Sequence, residues 1–129
     1  MKIKIGPLDR AFSKFIRLLS GGYCKRCWLL KLPKPYKGWK NLDCAHFHAR
    51  SKRATRWDAD NVAPLCMGCH LYLDTHHYEK IEFFMEILGK ERFDALDERA
   101  NQIKKFSKEE LKELEIEYKQ KIKELENDN

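Results

Sequence analysis

No uninterrupted apolar run in these 129 residues approaches the roughly 20 that span a bilayer, so no transmembrane helix is expected. Glycine and proline are sparse, at six and four residues, which excludes a collagen-like or low-complexity chain. The opening Met1 to Pro7 offers neither the apolar stretch nor the small-residue cleavage site of a signal peptide. Five cysteines, an odd number, argue against a secreted disulfide scaffold. A soluble cytoplasmic chain is expected, long enough for one compact unit with a modest core.

Acidic residues are nearly missing from the first half. Residues 1–57 carry fifteen Lys and Arg against Asp9 and Asp43 alone, whereas residues 58–129 carry eleven against eighteen acids. The formal net charge of +6 therefore hides a balance of +13 followed by −7. A positive half of that density, with Trp28, Trp39 and Trp57 interleaved, suits a polyanion such as nucleic acid. The plainer alternative is a solvated, solubilising face.

Four of the cysteines form two Cys-x-x-Cys pairs, Cys24 with Cys27 and Cys66 with Cys69. That spacing lets both thiolates of one turn face the same ion, and two such turns complete the tetrahedral shell of a structural Zn²⁺. A single iron is chemically possible with the same ligands. A redox pair fits less well, because Cys24 follows the turn Ser20-Gly21-Gly22 and a second matching pair would be left unexplained. Cys44, outside the pairs, reads as a small buried apolar residue. Strong chelation is expected to unfold the domain, since zinc binding in small modules is worth roughly 10–16 kcal/mol.

The spacing of Leu8, Phe12, Phe15, Ile16 and Leu19 predicts an amphipathic helix between Pro7 and Gly21. Residues 28–42 read as a basic loop or hairpin, Leu42 to His48 as a strand, and Arg50 to Trp57 as an exposed basic loop. Val62 and Leu65 offer a second short strand, and the chain turns helical from about Gly68. Further helices are predicted over Tyr78 to Leu88, Glu91 to Phe106, and from a capping box at Ser107 and Glu110 through Leu111, Leu114, Tyr118, Ile122 and Leu125. The last helix, residues 107–129, is expected to pack on the domain formed by residues 1–106 or on a partner helix.

Between the cysteine pairs lie His46 and His48, two apart on the expected strand and so on one face, and then Asn61, while His70 directly follows the last cysteine. The strings Cys44-Ala-His-Phe-His-Ala-Arg50, Ala54-Thr-Arg-Trp-Asp58 and Asn61-Val-Ala-Pro-Leu-Cys-Met-Gly-Cys-His70 resemble the HNH (ββα-metal) endonucleases, specifically the zinc-stapled phage type related to NinG/Rap recombination nucleases. The likeness runs over roughly residues 8–100 and includes the leader Leu8 to Arg17.

The resemblance implies an α+β fold, a small ββα-metal core stapled by a four-cysteine zinc site with flanking N- and C-terminal helices. It implies a metal-dependent nuclease cutting DNA phosphodiesters, with His46 as general base, Asn61 constraining the loop and orienting His46 through a side-chain to backbone hydrogen bond, and His70 as ligand of a second divalent cation, Mg²⁺, Mn²⁺, Ni²⁺ or Zn²⁺. Many HNH enzymes carry an Asp or His ligand just before the base. Here that position is Ala45, which leaves His48, able also to exchange roles with His46, or Asp74 one helical turn after His70, as further ligand candidates, with His76 and His77 behind them. Arg50, Lys52, Arg53 and Arg56 are expected to contact phosphates beside the groove. The expected partners are DNA and a phage packaging or recombination protein, with the chain a monomer or weak dimer and no membrane involved. The alternative is a non-catalytic, zinc-stabilised nucleic-acid-binding adaptor.

Overall fold

The computed structural model describes residues 3–127. Helix α1 (Pro7–Leu19) starts with Pro7, whose missing N–H costs nothing at that position, and ends where Gly21 and Gly22 adopt positive φ. Its apolar face buries Leu8, Ala11, Phe12 and Ile16. A one-turn helix α2 (Lys25–Leu29) follows the first cysteine, forming the first cysteine turn and reaching two residues into the expected basic loop of residues 28–42.

Strand β1 (Leu42–His46) pairs antiparallel with β2 (Val62–Cys66), in a register running from Leu42 opposite Cys66 to His46 opposite Val62. The first strand is two residues shorter than its sequence suggests. Between the strands, the basic stretch forms the single turn α3 (Arg53–Arg56) rather than an open loop.

Beyond β2 the chain is helical: α4 (Met67–Thr75), α5 (His77–Leu88), α6 (Lys90–Ala100) and α7 (Lys108–Asn127). Gly89, at φ +80, breaks α5 from α6. The helix expected to reach Phe106 stops at Ala100, and Ile103, the next residue of its apolar stripe, is 96% exposed. The capping box of α7 is formed reciprocally: the Glu110 N–H donates to Ser107 Oγ at 3.1 Å, and the Ser107 N–H donates to Glu110 Oε1 at 3.2 Å.

Two apolar clusters flank the sheet in this α+β arrangement. Ala45, Ala63 and Leu65 pack with Leu73, Phe84, Phe93 and three of the paired cysteines. Cys44 and Val62 pack with Phe12 and Ile16 of α1 and with Tyr118 and Ile122 of α7. The terminal helix thus lies on α1, its Tyr118 ring 5.1 Å from that of Phe12. Among the described residues, no helix is long and apolar enough to cross a membrane.

Candidate functional site

Cys24 caps α2 and Cys27 sits in its first turn, while Cys66 ends β2, caps α4 and is followed by Cys69 in that helix's first turn. A helix start after each leading cysteine turns both thiols of a pair to one side. The four Sγ atoms all lie within 4.8 Å of one another, the one such cluster of ligand atoms among the described residues. Cys27 is 3.9 Å from Cys66 and 3.7 Å from Cys69. A tetrahedron with Zn–S bonds of about 2.3 Å has edges of about 3.8 Å. The cluster therefore fits a structural zinc ion.

The surroundings suit the same ion. The Arg26 guanidinium lies 3.4 Å from Cys69 Sγ and the Cys27 N–H 3.5 Å from Cys24 Sγ, both donors toward sulfur. Burial, reinforced by neighbouring sulfurs, pushes the Cys27 thiol up. Burial also pushes Cys66 up, but hydrogen bonds from the Cys69 N–H and the other thiols outweigh it and its net shift is downward. Binding a cation there displaces the proton that burial holds on Cys27. Cys44 stands apart, buried, its thiol pushed up to about 12 by that burial.

A cleft of about 870 Å³ runs beside β1 and brings together Asp43, His46 and Arg50, His70 and Asp74 of α4, and Arg17 of α1. His46 lies on the strand face turned to α1, its ring 6.5 Å from Phe12. Its Nε2 is 3.0 Å from the Arg56 carbonyl oxygen. A carbonyl only accepts, so Nε2 carries the proton and Nδ1 keeps the lone pair of the neutral ring. Burial, and then the charge of Arg50, hold the imidazole below its usual value, so it is neutral at pH 7.

On the α4 side, His70 Nδ1 is 3.0 Å from Asp43 Oδ2, and its Nε2 is 3.4 Å from Asp74 Oδ2. Lys80 closes this group with its Nζ 2.8 Å from Asp74. Asp43, Arg17 and Lys80 escape the sequence reading. The signal for Asp43 was its rarity, as one of two acids in the basic half.

Other expected site residues are placed differently. His48 does not line the cleft, because β1 ends at His46 and strand alternation no longer governs residue 48; its Nε2 meets Asp97 of α6 at 2.7 Å. Asn61, fully buried, makes no side-chain hydrogen bond to His46. It clamps the backbone of His48 instead, accepting from its N–H at 2.8 Å and donating to its carbonyl at 3.0 Å, and donates to the Thr55 carbonyl at 3.0 Å. His76 stacks on Tyr72 at 3.9 Å, and His77 opens α5 on the surface.

Of the four expected phosphate contacts, Arg50 lines the cleft with its Nε buried and unpartnered. Lys52 and Arg53 are exposed, Arg53 lying 5.7 Å over the Trp57 ring. Arg56 is a correction: its guanidinium is buried, donating to both Asp9 oxygens at 2.9 and 2.7 Å and to the Lys4 carbonyl at 2.9 Å. A buried carboxylate needs a matching cation, and the bidentate fork of arginine supplies it.

A family model described as Bacteriophage Lambda NinG protein matches residues 5–128, and the chain belongs to that family. Searches of curated proteins and of solved structures yield no match.

Proposed function

We propose that this NinG-family protein is a divalent-metal-dependent DNA endonuclease that hydrolyses phosphodiester bonds in phage recombination or DNA packaging. The observation that carries this reading is the cleft shared by His46 and His70, where a neutral imidazole of defined tautomer faces the same space as a histidine flanked by two carboxylates. The order of two antiparallel strands and a helix, with His46 ending the first strand and His70 in the first turns of the helix, agrees with a ββα-metal core.

Phosphodiester hydrolysis needs a base for the attacking water and positive charge around the phosphorus. His46 Nδ1 accepts the water proton, while its Nε2–H stays bound to the Arg56 carbonyl. Arg50 and Arg17 bind the phosphate. Asn61 is a positioning residue: by holding Thr55 and His48 it fixes the loop that presents the Arg56 carbonyl to His46. A divalent cation held by His70 and one of its carboxylates would neutralise charge on the phosphate and the leaving oxygen. Because Asp43 and Asp74 occupy different nitrogens of His70, one of them would share the ion and the other would orient the ring. The four-cysteine site is separate, since four thiolates leave no open position for substrate.

Supercoiled plasmid incubated with the protein and Mg²⁺, Mn²⁺, Ni²⁺ or Zn²⁺ tests the proposal. Nicking that requires the cation and vanishes in His46→Ala supports it. Equal DNA retention by both proteins with no strand breaks in any cation overturns it in favour of a non-catalytic adaptor.

A further inference from the structure

We propose that the surface around the first cysteine pair is a stacking platform for single-stranded DNA, distinct from the cleft and resting on the reading of this chain as a DNA-binding protein. Three aromatic rings stand out there, Trp28 at 57%, Tyr36 at 61% and Tyr23 at 39% exposure. They form one group. Tyr23 is the hub, its ring 5.3 Å from Trp28 and 5.4 Å from Tyr36, each in an edge-to-face arrangement.

The group is built into the fold. An isolated bridge joins Tyr23 to Tyr36, and the Cys24 N–H donates to the Pro35 carbonyl at 2.9 Å. Lys37 and Gly38 both donate their N–H to the Gly22 carbonyl, at 2.9 and 3.1 Å. Gly22, at φ +90, has the Tyr36 ring 2.7 Å from where a Cβ would stand, so the approach of that ring requires glycine. Trp28 follows the zinc-site residue Cys27 on α2. Rings held this way lose little freedom when a ligand stacks on them.

The electrostatics select the ligand. Residues 10–42 contain nine Lys and Arg and no acid, and six of those cations, Lys25, Arg26, Lys31, Lys34, Lys37 and Lys40, fall between Cys24 and β1. Trp39 is approached by Lys14 and Arg17 at 5.2 Å, and Arg17 also lines the cleft, which joins the basic surface to the candidate active site. Glu79, Glu82 and Glu86 of α5 line a separate hollow with Arg26 and Leu29, whereas the hollow beside the rings is lined by Ser20, Tyr23, Lys25 and Trp28; there lysine attracts a phosphate backbone, and exposed rings offer their faces to bases that a duplex keeps stacked on one another. Together they suit an unpaired strand better than a duplex or a second copy of this basic segment.

The test is fluorescence anisotropy with the zinc-loaded 129-residue chain, without added divalent cation, on a labelled oligonucleotide of about 15 deoxythymidines and on an abasic one with the same phosphates. Binding tighter to the thymidine oligonucleotide, lost by about tenfold or more in Trp28→Ala and Tyr36→Ala and retained in Tyr36→Phe, supports the platform. Zinc content and circular dichroism establish that the variants are folded. Equal affinity for both oligonucleotides, or thymidine binding untouched by both alanine substitutions, overturns it. So does a dimer that these substitutions dissolve without changing DNA binding, which assigns the patch to self-association. Plasmid nicking reports on the cleft and the oligonucleotide titration on the platform, so the two proposals fail separately.

Discussion

The guanidinium of Arg56 and the carboxylate of Asp9 meet across 47 residues as a buried bidentate pair that ties α3 to the start of α1. The same carboxylate accepts from the Gly6 N–H at 2.9 Å and the Trp57 indole at 3.0 Å. Removing it leaves a buried cation unpaired, so Asp9→Ala is expected to cost about 3–5 kcal/mol in urea unfolding. Burial raises the Asp9 carboxyl, but the hydrogen bonds from Arg56 and Gly6 outweigh it and the net shift is downward. Its stabilisation is then complete above the unfolded value near 3.9 and is lost as pH falls through the lower folded value. An acid-unfolding curve with the same midpoint in Asp9→Asn as in the parent protein contradicts this.

His46 sets a pH limit on the proposed activity. Burial and the Arg50 charge lower its pKa, so nicking should be level between pH 7 and 8 and fall only below the usual imidazole range, as the ring gains a proton. In Arg50→Ala that acidic limb moves to higher pH. A profile unmoved by the substitution rules out Arg50 as a cause of the shift.

Zinc is expected at one ion per chain, measured by atomic absorption. Cys27→Ser or Cys69→Ser should lose both the ion and the cooperative melt, because these cysteines belong to the same apolar cluster as Leu65, Leu73 and Phe84. A metal-free, reduced protein with an unchanged thermal melt would show that the core holds without it.

Asn61→Ala strands the His48 N–H and the carbonyls of His48 and Thr55. Each unsatisfied buried group costs about 1–3 kcal/mol. A lower melting temperature should accompany slower nicking at unchanged DNA affinity, since Asn61 acts through the loop holding His46. Asn61→Asp keeps the acceptor but loses both donors, and should fall between the two. Equal nicking rates in all three proteins would remove Asn61 from the site.

The terminal helix should be a structural partner of α1. Tyr118 is 8% exposed, with its ring 5.1 Å from Phe12 and 5.4 Å from Phe15. Tyr118→Ala is expected to cost about 3–5 kcal/mol and Ser107→Ala about 1 kcal/mol, both read by chemical denaturation. Tyr118→Ala as stable as the parent protein would mean that α7 adds nothing to that core.

Much of this molecule could be read along the chain. The proline before α1, the reciprocal cap at Ser107 and Glu110, and the apolar repeats of α1 and α7 act over three or four residues, and their outcome does not depend on distant partners. The two cysteine pairs were equally plain, because a two-residue spacing already turns both thiols to one side of a helical turn.

What tertiary packing alone decided was the partner of each charge. Arg56 carries the same chemistry as Arg53, yet one is buried against Asp9 and the other is exposed beside Trp57. His48 turned to Asp97 because β1 stopped two residues early, and Asp43 reached His70 because β1 lies beside α4. Residue type and spacing establish which groups can ionise or bind a metal. Desolvation, and the contacts that offset it, depend on neighbours brought in from tens of residues away, and those exist only once the sheet and helices have packed.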